Sequence, residues 1–244
     1  NLYEVVLPEN CVDAKTYQIK LRLYNTDAYA WPGKTPADAE AEYSLDFTVT
    51  PATNDVTMAV FIIGWTYGEY SSTVNQPMGS SRYGTMVYTY EKQTVDGWEP
   101  VEDIATADAG YYRLIGTVAA NDNWNTVVRR VEFKIEKARN TWKTIPNIIR
   151  WNAGDYDAKK NVITGEATFG TASFTVRDAY GNTVTDLSKA EAGTYTLIAH
   201  VDATDNYTAL HSVITFTILD GNGANVGLIV AVVLLSVVTA GLIV

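Results

Sequence analysis

One short pattern occurs three times in this sequence, and that recurrence limits the possible folds more than any bulk property does. Asp108-Ala109-Gly110-Tyr111-Tyr112 is followed by Asp122 and Trp124, and Glu191-Ala192-Gly193-Thr194-Tyr195 by Asp205 and Tyr207. Asp13-Ala14-Lys15-Thr16-Tyr17 is followed in the same way by Asp27 and Tyr29. In each copy the aspartate stands ten positions after the last tyrosine of the pattern, and the aromatic comes two later. A spacing reused in this way marks one structural unit used repeatedly.

The residues around the pattern give the unit its strands. Tyr17, Ile19, Leu21 and Leu23 alternate with Gln18, Lys20 and Arg22, the period of a half-buried strand. A loop with Trp31-Pro32-Gly33 follows, then a closing strand with Leu45, Phe47 and Val49 expected inward and Asp46 and Thr48 outward. A complete copy runs over 52–137, with strand signals at 56–63, 85–90, 112–118 and 131–135. It recurs over 138–219: Trp65, Gly68 and Tyr70 return 86 residues later as Trp151, Gly154 and Tyr156, and Tyr83-Gly84-Thr85 as Phe169-Gly170-Thr171. Tyr112 and Tyr195 are only 83 apart, so the later copy is three residues shorter, where the earlier one carries a loop around Asp96-Gly97-Trp98. The expected organisation is the second half of a module over 1–51, modules at 52–137 and 138–219, a polar spacer at 220–225 and an apolar run at 226–244. The chain begins without Met, in what reads as the middle of a module, as a piece of a longer precursor would.

Modules of about 85 residues with short strands and frequent turn signals predict an all-β fold of tandem β-sandwiches. Within it Tyr17, Tyr112 and Tyr195 are candidates for tyrosine corners, each ring in the core and each hydroxyl bonded to upstream backbone, with Gly110 and Gly193 permitting the bend. The Trp65, Gly68, Tyr70 set and its copy at Trp151, Gly154 and Tyr156 admit two roles, core packing at a turn or a sugar-stacking platform. Core packing is favoured.

The order Trp65-Thr66-Tyr67-Gly68, Asp108 to Tyr112, then Asp122-Asn123-Trp124 is matched by Glu191 to Tyr195 and Thr204-Asp205-Asn206-Tyr207. It resembles the bacterial Ig-like (MBG-like) tandem repeats of large Firmicute-type cell-surface proteins. Those run in a similar Trp-Tyr-Gly, Asp-Ala-Gly-Thr-Tyr, Asp-Asn-Tyr order, and the resemblance covers residues 1–219. Lys15 departs from it at the glycine position of the first copy. The resemblance implies Ig-like modules, an extracellular location and a stalk or adhesive role, and it supplies no catalytic residues.

Charge and chemistry narrow the function further. A formal charge of −10 with scattered basic residues speaks against nucleic acid, which needs clustered Lys and Arg. The single cysteine, Cys11, leaves no internal disulfide. His200 and His211 have no Ser or Cys at fixed spacing, so no catalytic set and no cofactor are expected. Neither a Cys/His cluster nor an Asp-x-Asp-x-Asp-Gly loop is present, and Asp27, Asp202 and Asp205 read as turn caps rather than as ligands of a weak calcium ion.

From Val226 to Val244 there are 19 residues without charge or proline. At ~1.5 Å per residue such a helix spans roughly 28 Å, the depth of a bilayer's hydrocarbon core. A single C-terminal transmembrane helix in contact with membrane lipid is therefore expected, with the repeats outside the cell. The joints Val49-Thr50-Pro51-Ala52 and Ile135-Glu136-Lys137-Ala138 are too short to act as flexible linkers, which predicts a stiff, extended rod. Two functions fit: a non-catalytic stalk presenting an N-terminal head, or an adhesin whose Trp31, Trp98 and Trp124 stack on surface glycan or host protein.

Overall fold

A computed structural model of the chain describes residues 2–35 and 42–221, and the backbone of 232–233. The fold is all-β. Strands are accompanied by two 3-10 turns, Ile104–Thr106 and Leu187–Lys189, with no α-helix among the described residues. No helix there is long and apolar enough to cross a membrane. The helix expected over 226–244, with its ends at Val226 and Val244, lies outside the described residues except for Val232–Val233. Those two pair as a short strand with Val213 and Ile214. The described residues fall into two compact units: one of those within 2–63, 71–104 and 111–133, the other of those within 64–70, 105–110 and 134–221. The second sequence copy contributes to both.

In the first unit, β1 (Tyr3–Val6), β2 (Thr16–Leu23) and β3 (Glu42–Thr48) form an antiparallel sheet in that order. The alternation of β2 holds: Tyr17 and Leu23 are buried, while Gln18, Lys20 and Arg22 are exposed. Lys20 and Arg22 pair with Glu42, and Arg22 also with Glu4, on the outer face. The inner face departs from expectation. Leu45 is 45 % and Phe47 36 % exposed, although Tyr17 and Leu23 on the same face are buried.

The same unit holds β4 (Val56–Phe61) paired with β6 (Met78–Ser81). Its larger sheet runs β8 (Gly97–Val101), β7 (Val87–Thr94), β9 (Gly110–Val118) and most of β10 (Val127–Glu136). The stretch expected as a loop around Trp98 is instead the second strand of a hairpin. Thr94 pairs with Gly97 across a two-residue turn, and Gly97 (φ 128°) takes the backbone strain.

In the second unit, β5 (Trp65–Thr66) pairs in parallel with Ile135 and Glu136 at the end of β10. There β11 (Trp142–Ile148) pairs with β12 (Ile163–Ala167). A second sheet holds β13 (Ser173–Arg177), β14 (Gly193–Val201), β15 (Leu210–Ile218) and β16 (Val232–Val233). Leu197, Ile214 and Phe216 of that sheet pack against Ile148, with Ile163 beside them, so here two layers enclose a core. β9 and β14 bury the same positions: Tyr112, Leu114, Gly116 and Val118 in one, and Tyr195, Leu197, Ala199 and Val201 in the other. Each fully buried leucine of this kind stabilises its unit by about 1.5–3 kcal/mol.

Candidate functional site

The three repeated tyrosines occupy like surroundings. Tyr17 stacks on Phe47 at 5.5 Å, Tyr112 on Phe133 at 5.7 Å and Tyr195 on Phe216 at 5.6 Å between ring centroids. The Tyr195 hydroxyl donates to the Glu191 carbonyl at 2.9 Å; that of Tyr17 donates to the Asp13 carbonyl and accepts from the Asp13 N–H, both at 3.0 Å. Both bonds reach back four residues and close the corner. Burial, with the Glu191 and Asp178 carboxylates adding to it, holds the Tyr195 phenol above its ordinary value. At the glycine position the copies differ. Lys15 stands at that position in the first copy without left-handed backbone, its ammonium 5.0 Å from the Tyr17 ring centre, and Gly193 (φ 158°) lies at the edge of the extended region.

The tryptophan turns are also repeated closely. Trp65 and Trp151 are buried, each meeting Tyr70 or Tyr156 edge-to-face at 5.1 Å and 68°. Gly68 (φ 80°) and Gly154 (φ 89°) supply the left-handed residue that the turn needs. The turn backbone then grips the exit strand: the Tyr67 N–H donates to the Glu136 carbonyl, and the Ala153 N–H to that of Leu219, both at 2.8 Å. Trp151 packs on Phe216 as well, which leaves no open ring face for a sugar.

Six asparagines carry more of the architecture than their sequence context suggests. Asn54 donates to the Tyr83 carbonyl and accepts from the Tyr83 N–H; Asn140 does the same with Phe169. Asn75 donates to the Ile63 carbonyl and accepts from the Ser71 N–H, while Asn161 repeats this with Ile149 and Asp157. All four are at least 95 % buried. Each carboxamide replaces a missing pair of backbone hydrogen bonds, the requirement that burial places on peptide groups.

Asn123 and Asn206 act at the joints between sequence copies. In the first unit, Asn123 accepts from the Ala14 N–H at 2.6 Å and donates to the Asp13 carboxylate at 3.0 Å. In the second, Asn206 accepts from the Ala109 N–H and donates to the Asp108 carboxylate, both at 2.8 Å. The linkers are pinned alike. Ala52 donates to the Asn123 carbonyl and accepts from the Asn125 N–H; Ala138 does so with Asn206 and Thr208. Tyr207, stacked on Phe169 at 3.5 Å, also meets Tyr67 edge-on at 5.7 Å.

The turns themselves correct the alignment of the first copy. Asn25 accepts from the N–H groups of Asp27 and Ala28, as Asn121 does from those of Asn123 and Trp124. Asp27 therefore stands where the other copies have Asn123 and Asn206, one position from its sequence alignment with Asp122.

None of the three tryptophans proposed for ligand stacking is an exposed loop residue. Trp31 is buried between Tyr3 and Tyr43 and lines a cavity of ≈ 440 Å³ with Leu21 and Leu23 of β2. Trp98 lies on β8 with the Arg113 guanidinium 4.5 Å above its ring, and Arg113 is itself paired with Glu91. Trp124 stacks on Tyr83 at 3.7 Å. Trp31 and Trp124 are thus held by neighbouring aromatic rings and Trp98 by a cation over its face. His200 bonds to Asp202 at 2.9 Å and lies across from His211. Among the described residues no three His, Cys, Asp or Glu side chains converge to hold a metal. No protein-family model matches the chain, and no curated protein matches it.

Proposed function

We propose that the chain is a non-catalytic, membrane-anchored extracellular stalk of tandem Ig-like β-sandwich modules, which holds an N-terminal head away from the cell surface. One observation carries the reading: the repeated residues are spent on framework and on joints made the same way twice. Tyrosine corners, tryptophan turns and asparagine bonds recur position for position, and they serve connection rather than chemistry. The uncharged run from Val226 to Val244 supplies the anchor, with membrane lipid as its partner. The resemblance to surface-protein repeats supports the extracellular side.

The adhesin alternative rests on loop aromatics; Trp31 is buried between Tyr3 and Tyr43, Trp98 has the Arg113 guanidinium over one ring face, and Trp124 has one face stacked on Tyr83. A glycan array probed with the whole chain should therefore stay silent, while binding abolished by Trp124→Ala would favour adhesion. The stalk itself is tested by fractionating expressing cells. The chain is expected in the membrane fraction, cut by external protease, and released to the soluble fraction when 226–244 is deleted. A soluble chain protected from protease would contradict it.

A further inference from the structure

The geometry points to a pairing rule between consecutive modules: the Asn-aromatic turn of one recognises the acid-Ala corner of the one before it. Asn123 and Asn206 are the positioning residues. Each carboxamide presents an acceptor to an alanine N–H and a donor to an aspartate carboxylate, so only an amide satisfies both partners at once. An aspartate in the same place would still offer an acceptor for the first bond but set two carboxylates against each other in the second.

Three positions depart from the pattern made at these two joints. Asp27 puts a carboxylate at the clasp position of the first turn, the third corner has Glu191 in place of Asp108, and Ala153 replaces Tyr67, the tyrosine that meets the aromatic of the following turn. This inference is independent of membrane anchoring: it can fail while the stalk is displayed, and stand if the chain proves not to be anchored.

Amide hydrogen exchange of the full chain, read at Ala109, tests it. Asn206→Asp should speed exchange there about tenfold, because repulsion between the new carboxylate and Asp108 pushes the turn off the corner and takes the acceptor away from the Ala109 N–H. The double variant Asp108→Asn/Asn206→Asp should restore protection, because donor and acceptor have only changed sides. Protection at Phe169, held by Asn140, reports that the module remains folded. Unchanged exchange at Ala109 in Asn206→Asp, or a double variant no slower than the single one, overturns the rule. Should Asn206→Asp fail to fold, the same pair of variants at Asn123 and Asp13, read at Ala14, decides it by the same outcomes.

Discussion

At the scale of single residues the buried asparagines matter most for stability. Replacing the buried Asn140 by alanine takes away the side-chain partner of both the Phe169 N–H and the Phe169 carbonyl. Each orphaned group costs about 1–3 kcal/mol, so Asn140→Ala should lower unfolding free energy by roughly 2–4 kcal/mol in urea melts, and Asn161→Ala by a similar amount. Their recurrence at a constant offset is visible in the sequence. Their role is not, since Asn140 meets a backbone group 29 residues away and no local pattern encodes that partner. The tyrosines were more legible, because Asp-x-Gly-x-Tyr at a strand start names its own upstream acceptor. Tyr195 also predicts a pH effect. Its folded-state pKa lies above the ordinary 10.0, so its contribution is complete below that value and is lost as pH rises through the folded one. Stability measured between about pH 8 and 11 should fall at the alkaline end. Tyr195→Phe should flatten that fall while costing about 1 kcal/mol at neutral pH for the lost hydrogen bond.

At the scale of elements, alternation revealed the strands and their inward residues wherever a second layer exists. β9 and β14 show this best, their buried positions matching throughout. For β3 the period was right and the burial was not, since facing inward describes a side chain's direction and not how deeply it is buried. β8 escaped notice for a local reason: Gly97 and Pro100 interrupt the strand signal. Proline is tolerated there because β8 is the edge of its sheet and its missing N–H breaks no ladder. Backbone packing separates two glycines that look alike in sequence. A Cβ on Gly64 would collide with the Lys134 carbonyl oxygen, whereas one on Gly68 meets open space and only the strain of φ 80°. Gly68→Ala should cost about 1–2 kcal/mol, the penalty for a left-handed residue. Gly64→Ala should cost more, by thermal or urea unfolding of the two variants side by side.

At the scale of the whole molecule, the same all-β framework, held internally by asparagine side chains and pinned by asparagine where one sequence copy meets the next, recurs along the chain. The repeat itself was legible because turn residues, corner tyrosines and tryptophans keep fixed spacing. The joints were half legible: the Asp-Asn-aromatic turn was evident, but its target lies 98 residues away, from Asn206 to Asp108, and belongs to a different copy. The central claim is tested most directly by hydrogen exchange at amides that equivalent asparagines hold, Tyr83 against Phe169 and Ser71 against Asp157. The account expects both members of each pair to exchange at least about a hundredfold slower than free peptide, as buried and bonded amides do. A pair in which one member is protected and the other exchanges at the free-peptide rate would show that the copies share spacing without sharing structure.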